Sequence, residues 1–379
     1  MSRDDTVSPA PGRPRCSTIA QVAVHVPPDR QTGEEIEDDV RARNPGIRLL
    51  PGLLRQMYGF EERRVAPAGT WPSDLAAEAG RHALDRAGLG PDAVDLLIFA
   101  SAGEDVEEPA TAHIVAHKLG VTAPVFDVQN ACNGVLNALE IADSLIRTGR
   151  YERVLVTTGE RNSLLSALPV RDRAELSQFL PVCTLGDLGA ALLLEASDRP
   201  GLLGSAFRAN SAGWHAATVT NPYIGPQPGA QTVRFDFRAL AASYAGMEVA
   251  ALDTLRSMGH TPDDFRLFCV QQPSVPTTRA ILRALGVPED RTVATFPRYG
   301  NVATANLPLQ LVEAEQRGMV HPGDLVAMFG LASGASAGML LMEWHPLGAP
   351  KPPAQRTRHT ASLAPWQGPT THHRKEHTP

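Results

Sequence analysis

A cysteine at the start of a long apolar helical segment is the residue in this sequence best placed for chemistry. Cys132 follows the strand-like run Val125–Val128 and precedes an apolar stretch that continues to about Arg147. The unpaired N–H groups and positive dipole end of such a helix favour a thiolate and can stabilise an oxyanion, so Cys132 could accept an acyl group. A core cysteine with no reaction is the alternative, and position alone does not decide between them.

The elements that would hold this cysteine alternate along the chain. Apolar positions cover most of the circumference of the segment from Cys132 to about Arg147, which predicts a helix buried on nearly all sides. Between about Ser17 and Trp344, short apolar runs of strand length alternate with segments of helical periodicity, a pattern typical of an α/β protein with a largely buried sheet. Strand-helix-strand units occur on both sides of the polar break 198–201, which indicates an internal duplication.

Composition excludes several classes of protein. The 379 residues carry a formal net charge of -6 and are 43% hydrophobic, and the acidic balance argues against a broad nucleic-acid surface. No apolar run approaches the roughly 18 to 20 residues of a membrane span. The four cysteines are widely spaced without a CxxC pair, so we expect neither a zinc site nor a disulfide framework. We expect no other metal site either. The polar, proline-rich N-terminus lacks the apolar core of a secretory signal, so we expect a cytoplasmic protein.

The two ends differ from the middle of the chain. We predict a disordered leader over residues 1–16, an N-terminal half over 17–198 that carries the nucleophile, and a C-terminal half over 199–345. Residues 346–379 are rich in proline and histidine and have little apolar periodicity, which predicts a disordered tail.

Four motifs, in order, resemble the ketoacyl synthase III family of thiolase-fold condensing enzymes over nearly all of residues 17–344. The nucleophile segment of that family is similar to FDVQNACNGVLNALEIADSLIRTGRYERVLVTTGE. The strand turn that closes its first half is similar to LGDLGAALLLE. Its active-site asparagine segment is similar to PRYGNVATANLPLQL, and its closing hairpin is similar to GDLVAMFGLASGASAGMLLMEW.

The resemblance implies a fold, an assembly and a set of roles. The fold would be α/β, with duplicated βαβαβαββ halves in five layers (α-β-α-β-α), and the assembly a dimer. Cys132 would be the acylated nucleophile, and Asn301 would donate its amide to a thioester carbonyl, unless it is only a turn residue. The oxyanion donors would be the backbone N–H of Cys132 and a second backbone N–H in the closing turn. That turn contains Gly330, Ser333 and Gly334.

One departure from the family changes the chemistry. The family has a histidine in a strand-end motif resembling IPHQAN, and the aligned segment here is CVQQPS, with Gln271 in its place. Glutamine exchanges no proton near neutral pH, although its NH2 group can donate a hydrogen bond. Decarboxylative condensation is therefore in doubt, and Gln271 either helps Asn301 to hold a carbonyl or only fills the space.

Two further side chains are candidates for the missing base. The Glu108-Pro109 step resembles the region where head-to-head condensing enzymes send a glutamate into the partner's active site, and a buried carboxylate suits abstraction of a proton next to a thioester. Because acidic runs are usually solvated, an exposed loop is the alternative for Glu108. His215 lies in a segment that runs near the acyl pocket in the family and is a weaker candidate.

The donor of the acyl group would be acyl-CoA or acyl carrier protein, with no other cofactor. The tryptophan and arginine that hold coenzyme A in chain-initiating members are absent by our alignment, which places Leu53 and Met57 there. We therefore predict carrier contacts from Arg55, Arg63 and Arg64, against the alternative of a solvated basic surface.

The sequence thus predicts a thioester-dependent acyltransferase of lipid or specialised metabolism that works through an acyl-Cys132 intermediate. Claisen-type condensation and acyl transfer to a small-molecule acceptor both remain open. The alternatives are an O- or N-acyltransferase without C–C bond formation and a half-catalytic subunit of a heteromeric enzyme. We expect a homodimer.

Overall fold

The computed structural model describes residues 16–46, 48–170, 172–220 and 232–346. The predicted leader and tail lie outside these residues except at their inner ends. The strands are β1 Cys16–His25, β2 Asp29–Thr32, β3 Glu62–Val65, β4 Leu96–Ala100, β5 Val125–Val128, β6 Arg153–Arg161, β7 Asp187–Ser197, β8 Leu202–Ala209, β9 Ala217–Val219, β10 Val233–Phe235, β11 Leu267–Val270, β12 Leu325–Ala332 and β13 Ser336–Glu343. The helices are α1 Gly33–Arg43, α2 Leu53–Tyr58, α3 Pro72–Ala87, α4 Thr111–Leu119, α5 Gly134–Arg147, α6 Arg173–Phe179, α7 Phe237–Ser243, α8 Met247–Ser257, α9 Val275–Leu285, α10 Phe296–Tyr299 and α11 Asn306–Gln316.

Two large sheets repeat one topology. The first has the order β1-β7-β6-β4-β5, and the second has the order β8-β13-β12-β11 when read from the equivalent edge. In both sheets the first strand pairs antiparallel with the second and the second with the third, and the third pairs in parallel with the fourth. The predicted duplication is confirmed, but among the described residues the second sheet has no counterpart of the edge strand β5.

Five layers follow from where the apolar residues lie. One cluster joins α5 and α11 to the inner faces of both sheets, so these two helices form the middle layer. Helices α3 and α4 pack on the outer face of the first sheet, and α8 and α9 pack on the outer face of the second. The α-β-α-β-α arrangement predicted for the thiolase fold is confirmed. Among the described residues, no helix is long and apolar enough to span a membrane.

The side chains of α5 and α11 explain why these two helices can be buried in the middle layer. In α5 the side chains of Val135, Leu136, Leu139 and Ile146 are fully buried, as the apolar circumference predicts. In α11 even Gln310 is fully buried, because its amide pairs with the backbone of Val270 in β11, donating to the carbonyl at 2.8 Å and accepting from the N–H at 3.1 Å. A side chain therefore satisfies the sheet edge that lacks a fifth strand.

Glycines allow α3 to pack directly on the first sheet. A Cβ atom at Gly159 in β6 would lie 1.8 Å from the carbonyl oxygen of Pro72, and one at Gly189 in β7 would lie 2.0 Å from that of Leu75. Real side chains cannot approach backbone so closely, so both positions require glycine.

We expect Gly159→Ala to lower the free energy of unfolding by about 1–3 kcal/mol or more, because the added methyl group overpacks a rigid backbone contact. Urea denaturation measures the effect. Gly103→Ala is the matched control, since no atom lies within 4 Å of the added Cβ there. Equal stability of the two variants would contradict this account of the packing.

Candidate active site

Cys132 stands in a sharp turn between β5 and α5. The helix begins at Gly134 and Asn133 caps it, so the cysteine lies two residues before the helix and not in its first turn as the sequence predicts. Ala131 has a φ of 44°, a left-handed conformation that is uncommon for a residue with a Cβ. The N–H of Asn133 donates to the carbonyl of Asn130 at 3.1 Å and closes the turn. The turn presents Cys132 as a half-buried thiol.

The expected stabilisation of a thiolate at Cys132 is wrong for the free protein. Surrounding protein atoms raise the pKa of the Cys132 thiol to about 12, because burial penalises the charged sulfur, and the nearby carboxylate of Glu160 adds to the effect. A hydrogen bond from backbone acts in the opposite direction but is weaker. Cys132 is therefore a neutral thiol at physiological pH.

The residue after the nucleophile locks the turn to the closing hairpin. The Nδ2 group of Asn133 donates to the hydroxyl of Ser336 at 2.9 Å, at the start of β13. A Cβ at Gly330 in β12 would lie 2.1 Å from Oδ1 of Asn133, so any other residue there would displace the Asn133 amide. Ser333 and Gly334 lie in the hairpin between these strands. The oxyanion role of the Gly330–Gly334 backbone stays a prediction.

Asn301 is held by backbone on both sides. Its N–H donates to the carbonyl of Thr184 at 2.9 Å, and its carbonyl accepts from the N–H of Gly186 at 3.1 Å. The preceding Gly300 has a φ of 68°, and a Cβ there would lie 2.1 Å from the carbonyl oxygen of Thr184. Oδ1 of Asn301 accepts from the N–H of Ala303 at 3.0 Å. Among the described residues nothing accepts from Nδ2, which leaves that group for a ligand.

Gln271 contacts Asn301 directly. Its Nε2 donates to Oδ1 of Asn301 at 3.1 Å, and its own Oε1 is buried without a partner among the described residues. Gln272 has a structural role, because its amide donates to the carbonyl of Val293 at 2.7 Å and accepts from the N–H groups of Thr295 and Phe296. Gln272 thus supports the segment that leads to Asn301.

Two series of contacts link Gln271 and Asn301 to the segment around Cys132. The N–H of Gln271 donates to the carbonyl of Phe329 at 2.9 Å, and the next residue in β12 is Gly330, which packs on Asn133. From the other side, a Cβ at Gly134 would lie 3.4 Å from the methyl group of Thr304, three residues after Asn301. The segments that carry Cys132, Gln271 and Asn301 therefore converge near the N-terminal ends of α5 and α11.

Sequence reasoning missed two polar residues near Cys132, Glu160 and Tyr244. Glu160 is fully buried, and its Oε1 accepts from the N–H of Ala102 at 3.0 Å and from the hydroxyl groups of Ser101 and Thr304. Burial raises the pKa of the Glu160 carboxyl. Tyr244 lies near Cys132. Burial raises the pKa of the Tyr244 phenol, so the phenol stays protonated and can donate a hydrogen bond. The only sequence signal was an acidic residue at the end of an apolar strand.

The two candidate bases lie at the surface of the single chain. Glu108 is exposed, together with Glu104 and Glu107, while Asp105 accepts hydrogen bonds from Ser73. His215 is exposed in a short turn after β8. Within one chain neither side chain is buried, and their roles as bases stay predictions.

The three arginines have different environments. Arg63 is buried, and its guanidinium donates to the carbonyl of Leu185 at 2.8 Å, to Ser166 Oγ at 2.8 Å and to Gln31. The prediction that Arg63 contacts a carrier is therefore wrong, because its donors are used inside the fold. Arg64 is half-buried and donates to the carbonyl of Pro28 at 3.3 Å.

Arg55 remains exposed but has acidic neighbours. Its guanidinium lies 3.3 Å from the carboxylate of Glu61, and it lines a cavity of about 210 Å³ together with four glutamates, Glu34, Glu37, Glu61 and Glu62. These charges would oppose an acidic carrier or a CoA phosphate. Carrier binding by Arg55 and Arg64 stays a prediction.

Among the described residues, one group of side chains could hold a metal ion. Ligand atoms of His25, Glu78 and His82 lie within 4.8 Å of one another. Glu78 already forms an ion pair with Arg81 at 2.6 Å, so a cation would have to compete with that arginine.

We expect alkylation of Cys132 by iodoacetamide to accelerate about tenfold per pH unit between pH 7 and 9, because the rate follows the thiolate fraction and the pKa lies far above this range. Mass spectrometry of the Cys132 peptide follows the reaction, with Cys132→Ser as the blank. A plateau near pH 7 would indicate a stabilised thiolate and contradict the expectation.

We expect Arg63→Met to destabilise the protein by at least about 2 kcal/mol, because buried acceptors lose their donor. Arg55→Met, an identical change at an exposed site, should stay within about 0.5 kcal/mol of the parent. Urea denaturation compares the two. Similar stabilities would argue that Arg63 is not a structural residue.

Known proteins match both halves of the chain. Residues 126–211 match the family described as 3-oxoacyl-[acyl-carrier-protein] synthase III, and residues 255–344 match its C-terminal domain. OleA from Xanthomonas campestris is similar at 26% identity and a TM-score of 0.79, over 87% of this chain and 98% of that chain. FabH, a 3-oxoacyl-(acyl carrier protein) synthase III from Xanthomonas oryzae pv. oryzae, is similar at 26% identity and a TM-score of 0.79, over 87% and 99%.

The matches include the strand-turn-helix unit that carries Cys132 and the segment from Gln271 to Asn301. Fold, duplication and family matches agree. The chain is therefore a condensing enzyme of the thiolase fold that is similar to 3-oxoacyl-[acyl-carrier-protein] synthase III, and a thioester-dependent acyltransferase.

Proposed function

We propose that this enzyme takes an acyl group from acyl-CoA or acyl carrier protein onto Cys132 and passes it to a second substrate held at Asn301. One observation carries the proposal. A sharp turn presents Cys132 at the start of α5, and the methyl group of Thr304, three residues after Asn301, packs on that start. The carboxamide of Asn301 is fixed, and its Nδ2 has no acceptor among the described residues. A purely structural role would require neither the strained turn nor an open donor at the same end of the central helices.

The first half-reaction balances without a separate base. Sγ of Cys132 attacks the thioester carbon, a new C–S bond forms, and the C–S bond to the carrier breaks. Because the Cys132 thiol is neutral, its proton moves to the departing carrier thiolate. The N–H of Cys132 is the natural donor to the transient oxyanion, because the N–H groups of Asn133 and Gly134 already donate within the turn.

The second half-reaction requires a site for the acceptor. Nδ2 of Asn301 is oriented by the N–H of Ala303, so it can donate to an acceptor oxygen without reorganisation. Claisen-type condensation with a second thioester is the reaction that the family matches support, and it belongs to lipid metabolism. A structure of OleA holds lauric acid and lauroyl-CoA, which makes lauroyl-CoA the first donor to test.

Dimerisation is part of the proposal. Glu108 is exposed on the single chain, in the segment that resembles the one through which head-to-head condensing enzymes complete the partner's site. A homodimer would bury this segment and bring Glu108 toward the partner's nucleophile. An acidic group there could remove a proton from a carbon next to a thioester.

We expect lauroyl-CoA to add one lauroyl group to the Cys132 peptide. Cys132→Ala should abolish the adduct, and Asn301→Ala should form it but release it to product about 100-fold more slowly, as after loss of one transition-state donor. Peptide mass spectrometry and single-turnover assays measure both effects.

Cys16→Ala is the matched control, because Cys16 is also a free, half-buried cysteine and should be dispensable. Absence of an adduct with any chain length or carrier would leave only a subunit without acyl-transfer chemistry.

A further inference from the structure

The orientation of two side-chain amides in the site follows from one backbone group. The N–H of Ala303 can only donate, and it lies 3.0 Å from Oδ1 of Asn301, so that atom is an oxygen. The Gln271 atom at 3.1 Å from the same oxygen must therefore be the nitrogen Nε2. Flipping either amide would bring two donors or two acceptors together. Neither assignment is thus a free choice.

This orientation leaves N–H donors and one acceptor oxygen open, because each NH2 group carries two hydrogens. Nδ2 of Asn301 lacks an acceptor among the described residues, and Oε1 of Gln271 is buried without a donor there. Since the two heteroatoms of an amide are only about 2.2 Å apart, Oε1 belongs to the same region as Asn301. Gln271 is 2% exposed, so bulk water does not compensate this oxygen. A ligand that donates to it removes an unfavourable buried acceptor.

The open acceptor oxygen discriminates between acceptor substrates. A thioester carbonyl, an enolate oxygen and a malonyl carboxylate carry only lone pairs, so each could accept from Asn301 but would leave Oε1 of Gln271 without a donor. A hydroxyl or an amine carries both a lone pair and a hydrogen, and it can accept from Asn301 while it donates to Gln271. Only one of the two hydrogens on Gln271 Nε2 binds Asn301, so glutamine keeps an N–H as well as the open Oε1, whereas a histidine there would offer no amide oxygen.

We propose that the acyl group on Cys132 is transferred to a hydroxyl or amine of a second substrate, whose O–H or N–H hydrogen binds Oε1 of Gln271. This activity goes beyond C–C condensation, and it rests on the acyl-Cys132 intermediate of the proposed function. The products are an ester or an amide.

The transfer step balances within the site. The oxygen or nitrogen of the acceptor attacks the thioester carbon, forming a C–O or C–N bond, and the C–S bond to Cys132 breaks. The proton of the acceptor ends on Sγ. The departing thiolate is a strong base, because burial raises the pKa of the Cys132 thiol to about 12, so no additional base is needed.

A carbon acceptor that does not lose CO2 would need a base to remove its proton, and the nearby groups of the same chain do not provide one. Gln271 exchanges no proton. The Oε1 atom of Glu160 already accepts from Ala102, Ser101 and Thr304, and its Oε2 accepts from Asn162 at 2.7 Å. The single-chain site is therefore equipped for a nucleophile that carries its own hydrogen.

The test uses the full-length enzyme charged with a lauroyl group on Cys132 and freed of CoA. Loss of the adduct is followed by intact mass at pH 8.5 in buffer, and with 2-phenylethanol, 2-phenylethylamine, malonyl-CoA or lauroyl-CoA. Products are identified by mass as ester, amide or ketone. Each rate is divided by the hydrolysis rate of the same variant, and free lauroyl-CoA reports uncatalysed aminolysis.

We expect the alcohol or the amine to accelerate adduct loss at least about tenfold over hydrolysis in the parent. Gln271→Met has a similar length but no amide oxygen, and it should remove most of that acceleration. Gln271→His should also lose it, because an N–H would replace the acceptor. Gln56→Met makes the same chemical change at an exposed site and should behave like the parent.

Two results would overturn the inference while leaving acyl-Cys132 intact. One is adduct loss that no hydroxyl or amine probe accelerates, including a case in which only ketone forms. The other is acceleration of equal size in Gln271→Met. Failure to form the adduct at all would instead overturn the proposed function, and the inference with it.

Discussion

Burial of α5 and α11 between the two sheets is the constraint on which the site depends. Because apolar neighbours surround both helices, the turns that lead into them cannot relax outward. Ala131 and Ala303, each three residues before its helix, have φ values of 44° and 43°. Such strain persists only where packing over-determines the backbone. The same strained entry thus occurs once in each half, next to Cys132 in one and near Asn301 in the other.

Polar contacts then set the register between the two halves. Asn133 packs on Gly330 and donates to Ser336, which ties the nucleophile turn to the closing hairpin. Thr304 donates to the buried carboxylate of Glu160, which ties the asparagine segment to the first sheet. The reacting groups are therefore held by rigid elements from both halves, an arrangement that suits transfer of an acyl group between two fixed positions.

The two duplicated halves differ in the segments that form the site. The described chain between α9 and α11 contains no edge strand, and it instead carries the turn that presents Asn301. Gln310 satisfies the exposed backbone of Val270 in place of that strand. The asymmetry gives one half the nucleophile and the other the carboxamide pair, so neither half alone contains the site.

Apolar periodicity indicated the α/β class and the duplication, because it reports directly on burial and chain direction. The motifs that resemble the ketoacyl synthase III family decided the role expected of Cys132 and identified Gln271 as the departure from that family. The state of the thiol, the structural role of Arg63, the nearby Glu160 and the orientation of the Gln271 amide required the tertiary structure. Each depends on atoms distant in sequence: desolvation opposed the helix end at Cys132, and the N–H of Ala303 determined which atom of Gln271 stays open.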